Sequence, residues 1–472
     1  MLFVEFRFLA FFLVVYLVYW RLRTNGPRKG WLLACSYFFY GCWDWRFLFL
    51  IAFSTTVDFF VGRALESETD AARRRRWLVL SLAVNLGLLG TFKYCNFFID
   101  SAQRLLTTLG LHPHLSTLGI VLPVGISFFT FQSLSYTIDV YRRHLRAVGN
   151  FFDLALAVSF FPQLVAGPIT RAADFLPQLG RARRYSEVDV RACLVLFLSG
   201  FVKKACISEN VAPAADQFFA APGSFGLLSA WLGIVCYAVQ IYCDFSGYTD
   251  MALACAGLLG YRLTWNFDFP YFAPDIGQFW RRWHMSLSSW LRDYLYIPLG
   301  GNRGTGLFTA RNLLLTMLLG GLWHGAAWHF VLWGGLHGMA LVVQREWNAR
   351  RGPTNPGSPS AAWTILGTLA TFYWICLCWV FFRAPDLHTA LVALRPFVWL
   401  HANGVERLTN DKGLDITFVV LALVHWMNYR RWFAGMWERL PEWAFPAAYA
   451  VAVGIVLLFV PQHYAPFIYF QF

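Results

Sequence analysis

The sequence predicts an all-α, polytopic membrane protein, a single domain over residues 1–472. Three observations point there. Only 14% of its residues are charged, against about 25% in a soluble domain. The mean hydropathy is +0.48. Apolar runs recur along the whole chain with basic residues between them. An ordinary water-soluble enzyme is excluded on these grounds. The 39 Lys and Arg against 26 Asp and Glu leave a charge of +13. Basic residues between apolar runs mark the cytoplasmic side and meet anionic headgroups. Membrane lipid is therefore the expected partner, and no nucleic acid is expected, since no soluble basic domain is visible.

The run from Leu2 to Trp20 is apolar apart from Glu5 and Arg7. It precedes Arg21, Arg23, Arg28 and Lys29 and lacks a small-residue cleavage site, so it reads as a retained transmembrane helix and not as a signal peptide. The positive-inside rule puts Arg21 to Lys29 in the cytoplasm and Met1 on the far side of the membrane. Trp31 to Arg63, with Asp44 and Arg46 in its middle, leads to the basic block Arg73 to Arg76, so two short segments go out and return. Trp77 to about Leu109 carries Asn85, Lys93 and Asn96. Leu118 to Tyr141 then brings the chain back to Arg142, Arg143 and Arg146, with the loop around His112 to Ser116 outside.

Asp153 to Val165 falls short of the roughly 20 residues of a span and ends in Phe161-Pro162-Gln163-Leu164. A re-entrant or buried broken helix is expected, because irregular backbone at membrane depth needs protein or a water-filled cavity beside it. Beyond Arg171 to Arg191, apolar runs recur at Cys193 to Val202, Leu227 to Cys243, Met251 to Leu259, Leu313 to Val343, Trp363 to Phe382, Ile416 to Trp426 and Trp443 to Val460. The expected total is roughly eleven to thirteen membrane segments. Arg350 to Ser360 and Asn403 to Asp415 read as loops. No internal repeat is visible, which speaks against a transporter of inverted repeats.

The chemistry concentrates between Phe279 and Met339. At about 100° per residue, Phe279, Trp280, Trp283, Leu287, Trp290, Leu291 and Tyr294 share one stripe, with Arg281, Arg282, Ser288, Ser289, Arg292 and Asp293 opposite. This predicts an amphipathic interfacial helix over 279–296, with His284 at the edge of the aromatic stripe. Pro298-Leu299-Gly300-Gly301-Asn302-Arg303 is a turn rich in backbone donors. Arg281, Arg282, Arg303 and Arg311 are candidate contacts for the phosphates of a donor, or else markers of the cytoplasmic side.

The helical region 313–343 holds His324, His329 and His337 in apolar surroundings. On one straight helix His324 and His337 would stand about 20 Å apart on nearly opposite faces, so no metal site is expected. Gly320, Gly321 and Gly325 let backbone and substrate approach His324. A buried neutral imidazole can accept a hydroxyl proton, which makes His324 a candidate general base. His329 and His337 read as structural or lining residues. The ten cysteines include no CxxC pair, which argues against zinc and disulfide frameworks. No Gly-x-Ser-x-Gly elbow is present, so direct transfer to a hydroxyl is the simpler chemistry.

Several segments together resemble the membrane-bound O-acyltransferase family, in its bacterial branch of alginate O-acetylation membrane subunits. They are Pro123 to Gln132, Ser159 to Ile169, Gln240 to Met251, Phe279 to Arg303, Met317 to His337 and Trp379 to Ala384. The resemblance implies tilted helices around a central funnel or tunnel, with the donor entering from the cytoplasm and the acceptor from the other side. It implies that His324 holds the family's invariant catalytic histidine position and His284 its second position. It also implies an acetyl thioester, acetyl-CoA, as donor substrate with no permanently bound cofactor, a cytoplasmic acyl carrier, a periplasmic acetyltransferase partner and a polysaccharide acceptor, all at the bacterial inner membrane. The residues leave two alternatives open. One is a transporter of acyl groups or glycan, and the other is a scaffold for a periplasmic acetyltransferase.

Overall fold

The computed structural model describes residues 1–461 except 112, 114, 166, 352–359, 403, 409, 410 and 434, with the backbone alone at 351 and 411–417. The expected loops at His112 to Ser116, Arg350 to Ser360 and Asn403 to Asp415 lie partly or mostly outside the described residues. Within them the chain is helical, the one extended pairing being the isolated bridge between Phe225 and Glu406. Five helical stretches are long and apolar enough to cross a membrane: Asn25–Ser67, Ala71–Thr108, Leu227–Leu258, Gly306–His324 and Ala361–Arg383. The first two each join a pair of helices, and shorter apolar helices follow at Phe418–Tyr429 and Ala444–Leu457. Their outer faces carry Phe49, Phe53, Phe60, Trp363, Ile365 and Leu369, all exposed. Faces of this kind are solvated by lipid and not by water. The protein is a multi-pass, all-α membrane protein.

The chain forms two compact units, Met1–Val190 with Ala252–Thr264, and Arg191–Met251 with Trp265–Phe472. In the first, the helix Ile126–Tyr141 is buried along almost its whole length. Its neighbours can therefore satisfy polar groups that lipid could not. Asp58 Oδ1 accepts hydrogen bonds from Ser81 Oγ at 2.6 Å, Asn85 Nδ2 at 3.1 Å and Thr137 Oγ1 at 3.1 Å, tying three helices at one point. The short apolar run after Asn150 is a broken helix, as its length and proline suggest: Phe151–Ser159, then Phe161–Leu164. Ser36 Oγ takes the Phe161 N–H freed at the break, at 3.1 Å.

In the second unit, the helix Leu227–Leu258 contributes its part up to Met251. A hairpin of two helices, Gly306–His324 and Trp328–Arg351, packs through glycines. A Cβ on Gly321 would fall 2.2 Å from the Phe330 carbonyl oxygen. The helical region 313–343 is thus two antiparallel helices joined at 325–327, so the separation of about 20 Å along a single straight helix does not apply to His324 and His337. The amphipathic helix expected over 279–296 is also interrupted. It runs Ile276–Arg282, breaks at Trp283 and His284, and resumes as Met285–Leu291 and a wider turn to Tyr296. Even so, Phe279, Trp283, Leu287, Trp290 and Leu291 are all buried, so the stripe read from the sequence survives the break.

Candidate active site

His324 is the last residue of the helix Gly306–His324, which ends because Gly325 turns to extended backbone. The Phe330 ring fills the space where a Cβ of Gly325 would sit, so the turn closes tightly over the histidine. The imidazole is 4% exposed. Trp323, Trp333 and Phe382 stand edge-on to it, with ring centroids at 5.1, 5.0 and 5.4 Å.

His284 sits at the interruption between its two short helices, with φ 42° and ψ 53°. A left-handed backbone is costly for any residue but glycine, and such strain persists only where the surroundings hold it. Asn266 supplies that hold. Its Oδ1 faces His284 Nδ1 at 3.1 Å, the Ser286 N–H at 3.1 Å and the Ser286 hydroxyl at 2.8 Å, while its carbonyl accepts the Met285 N–H at 2.9 Å. The asparagine therefore caps the second helix from eighteen residues away in the chain. The His284 ring is fully buried, with Phe245 edge-on at 4.7 Å. Burial pushes its imidazole down to about 3, so the ring is neutral across the physiological range. It lies outside the five membrane-crossing stretches.

The ring centroids of His284 and His324 are 6.4 Å apart at an angle of 61°. Two imidazoles, forty positions apart in sequence, thus share one aromatic enclosure. The neutral His284 ring can accept a hydrogen bond there, and the low dielectric strengthens any that forms.

A model of the membrane-bound O-acyltransferase family matches residues 142–384, which contain Asn266, His284 and His324. A Pseudomonas aeruginosa protein named "Probable alginate O-acetylase AlgI" is 42% identical over 88% of this chain and 78% of its own length. The chain belongs to the membrane-bound O-acyltransferase family. A Pseudomonas putida member of the same name is 38% identical over 98% of this chain and 99% of its own. A Helicobacter pylori peptidoglycan O-acetyltransferase is 38% identical over 84% and 79%. The protein is accordingly an O-acyltransferase.

The other histidines of this O-acyltransferase hold different positions. His337 is fully buried, stacked on Phe279 at 6.2 Å and edge-on to Trp280 at 5.0 Å. The Trp333 indole touches both His337, at 4.7 Å, and His324, at 5.0 Å. His329 is tied through Nδ1 to the Phe381 carbonyl at 3.0 Å. Among the described residues no group of three or more His, Cys, Asp or Glu could hold a metal ion.

The four arginines are spread out. Arg281 and Arg282 lie on the short helix just before His284. Arg303 follows the turn in which Gly300 and Gly301 take positive φ, and Arg311 lies near the start of the His324 helix. At 1.5 Å per residue Arg311 is about 20 Å along the axis from His324. Its guanidinium bonds Asn312 Oδ1 at 2.9 Å and lies 4.2 Å from the Phe308 ring centroid. The sequence reading missed Asn266, Phe245 and Phe382. The one local signal for Asn266 is an uncharged polar residue between Trp265 and Phe267.

Proposed function

We propose that this O-acyltransferase passes an acetyl group from a cytoplasmic thioester, acetyl-CoA or an acylated carrier protein, across the bacterial inner membrane to a hydroxyl. The product would be O-acetylated alginate or a similar exported or cell-envelope polysaccharide. The single observation that carries the reading is the pairing of His284 with His324, 6.4 Å apart in a buried aromatic enclosure. The names of the relatives, two of them "Probable alginate O-acetylase AlgI" and one a peptidoglycan O-acetyltransferase, support the acetyl group and the glycan.

His324 acts as general base. It takes the proton of the acceptor hydroxyl as the oxygen attacks the thioester carbonyl carbon. The C–S bond then breaks, and the proton passes from the imidazolium to the departing thiolate, leaving an ester and a thiol. A base of this kind contributes a factor of about 10² to 10⁴, and excluding water prevents hydrolysis of the thioester. His284 orients the acceptor beside it. Arg281, Arg282, Arg303 and Arg311 attract the anionic head of the donor. With about 20 Å between Arg311 and His324, a donor with a long arm suits the site. A periplasmic acetyltransferase is its partner in this acetylation, and the N-terminus is periplasmic.

The test is transfer of radiolabelled acetyl-CoA in proteoliposomes. Wild type consumes the thioester, His324→Ala loses at least about 10² in rate, and His329→Ala retains most of it. A folded His324→Ala protein that transfers like wild type sinks the reading. A wild type that consumes no thioester points instead to a transporter or scaffold.

A further inference from the structure

The hydrogen bonds around Asn266 fix more than the backbone of His284. The Ser286 backbone N–H lies 3.1 Å from Asn266 Oδ1. A backbone N–H only donates, so the atom it meets must be the amide oxygen, and the Asn266 side chain cannot be turned the other way. The same oxygen lies 3.1 Å from His284 Nδ1. An amide oxygen only accepts, so Nδ1 must carry the hydrogen. In a neutral imidazole the other nitrogen, Nε2, is then a bare lone pair. That nitrogen is buried and meets no hydrogen-bond partner among the described residues. An acceptor without a donor is unfavourable inside a protein, and a donor brought by the ligand would satisfy it.

We infer that Asn266 is a positioning residue that locks His284 in its Nδ1–H tautomer, so that Nε2 faces the substrate as a hydrogen-bond acceptor. This rests on the acyl-transfer reading above and adds a specificity to it. His324 takes the proton of the attacked hydroxyl, so the donor received by His284 Nε2 is a second polar hydrogen of the substrate. The neighbouring hydroxyl of a sugar diol has that chemistry. The 6.4 Å between the ring centroids exceeds direct ring-to-ring hydrogen bonding, so the two imidazoles do not satisfy each other. The other imidazole nitrogen, occupied by Asn266, cannot serve the substrate.

The experiment reads the tautomer directly, by nitrogen NMR of ¹⁵N-histidine-labelled protein in detergent at neutral pH. The His284 signals are assigned as those lost in His284→Gln. Wild type is expected to show a protonated Nδ1 and a bare Nε2. Asn266→Asp keeps an acceptor at the same place and should keep that tautomer. Asn266→Ala removes it, and should give a mixture or the Nε2–H form together with a fall of about 10² in kcat, while KM for acetyl-CoA changes little.

A wild type with Nε2–H, or an Asn266→Ala protein with unchanged tautomer and kcat, overturns the inference. If Asn266→Ala does not fold, the wild-type and Asn266→Asp spectra decide it. The acyl-transfer reading fails separately, through a wild type that consumes no thioester, whatever the spectrum shows.

Discussion

A Cβ added to Gly334 would lie 2.2 Å from the carbonyl oxygen of Met317, inside any tolerable contact. That one approach sets how near the Trp328–Arg351 helix lies to the helix ending in His324. Packing at this distance leaves no room for a side chain, and the obstacle is backbone that cannot rotate away. Gly334→Ala should therefore destabilise the protein by about 1–3 kcal/mol or more. Gly335→Ala, whose Cβ would meet only the Leu318 side chain at 3.4 Å, is the control. It should be neutral or slightly stabilising, since alanine suits a helix better than glycine. Thermal unfolding of the two variants in detergent checks the contrast.

Lys204 is buried and ion-paired to Glu209 at 2.6 Å and to Asp244. Removing the lysine alone leaves two carboxylates in the interior, and breaking a buried pair in this way costs about 3–5 kcal/mol. Lys204→Met should lower folded yield and melting temperature sharply. Adding Glu209→Gln and Asp244→Asn should recover much of the loss. If the triple variant is no more stable than Lys204→Met, the network is not held by charge balance.

Asp58 accepts from Ser81, Asn85 and Thr137, none of which carries a positive charge. Asp58→Ala strands several buried donors at about 1–3 kcal/mol each. The melting temperature should fall, while the fraction that remains folded should transfer acyl groups at the wild-type rate. Activity per folded molecule, measured alongside the melt, checks this.

Acid should unfold the protein partly through His284. In the unfolded chain this imidazole takes up a proton as pH falls below its ordinary value of 6.5, but burial in the folded state holds it neutral until about 3. The unfolded state then binds the extra proton, so stability is constant above 6.5 and falls through the window from 6.5 to 3 by about 1.4 kcal/mol per pH unit. His284→Gln should remove that component. Chemical denaturation of both proteins between pH 7 and 5 gives the difference in slope, and parallel curves would refute the account.

Part of the candidate site was legible in the sequence. His284 and His324 stood out as ionisable groups among apolar residues, which in a membrane domain is expensive and so informative. The aromatic stripe through Phe279, Trp283, Leu287 and Trp290 was also legible, and all four residues are buried. What the pattern could not show is the interruption at His284 within that stripe. Helical periodicity reports which side of a helix is apolar. It does not report a distant acceptor that competes for the N–H groups of the next turn, and Asn266 is such an acceptor. The turn at 325–327 was hidden for a related reason: Gly320, Gly321, Gly334 and Gly335 read as permissive, while their close approach is a property of the folded hairpin.

The sequence by itself determined that this chain lives in a bilayer as helices, because hydropathy and the spacing of charges are local quantities that the solvent reads directly. It also placed His284 and His324 among apolar residues as candidates for the site. Only the tertiary structure decided that their rings meet at 6.4 Å, and that one amide oxygen dictates where the proton of His284 resides. Both depend on contacts between segments far apart in the chain, and a hydrogen bond is specified by the positions of its two atoms, which no local pattern of residues contains.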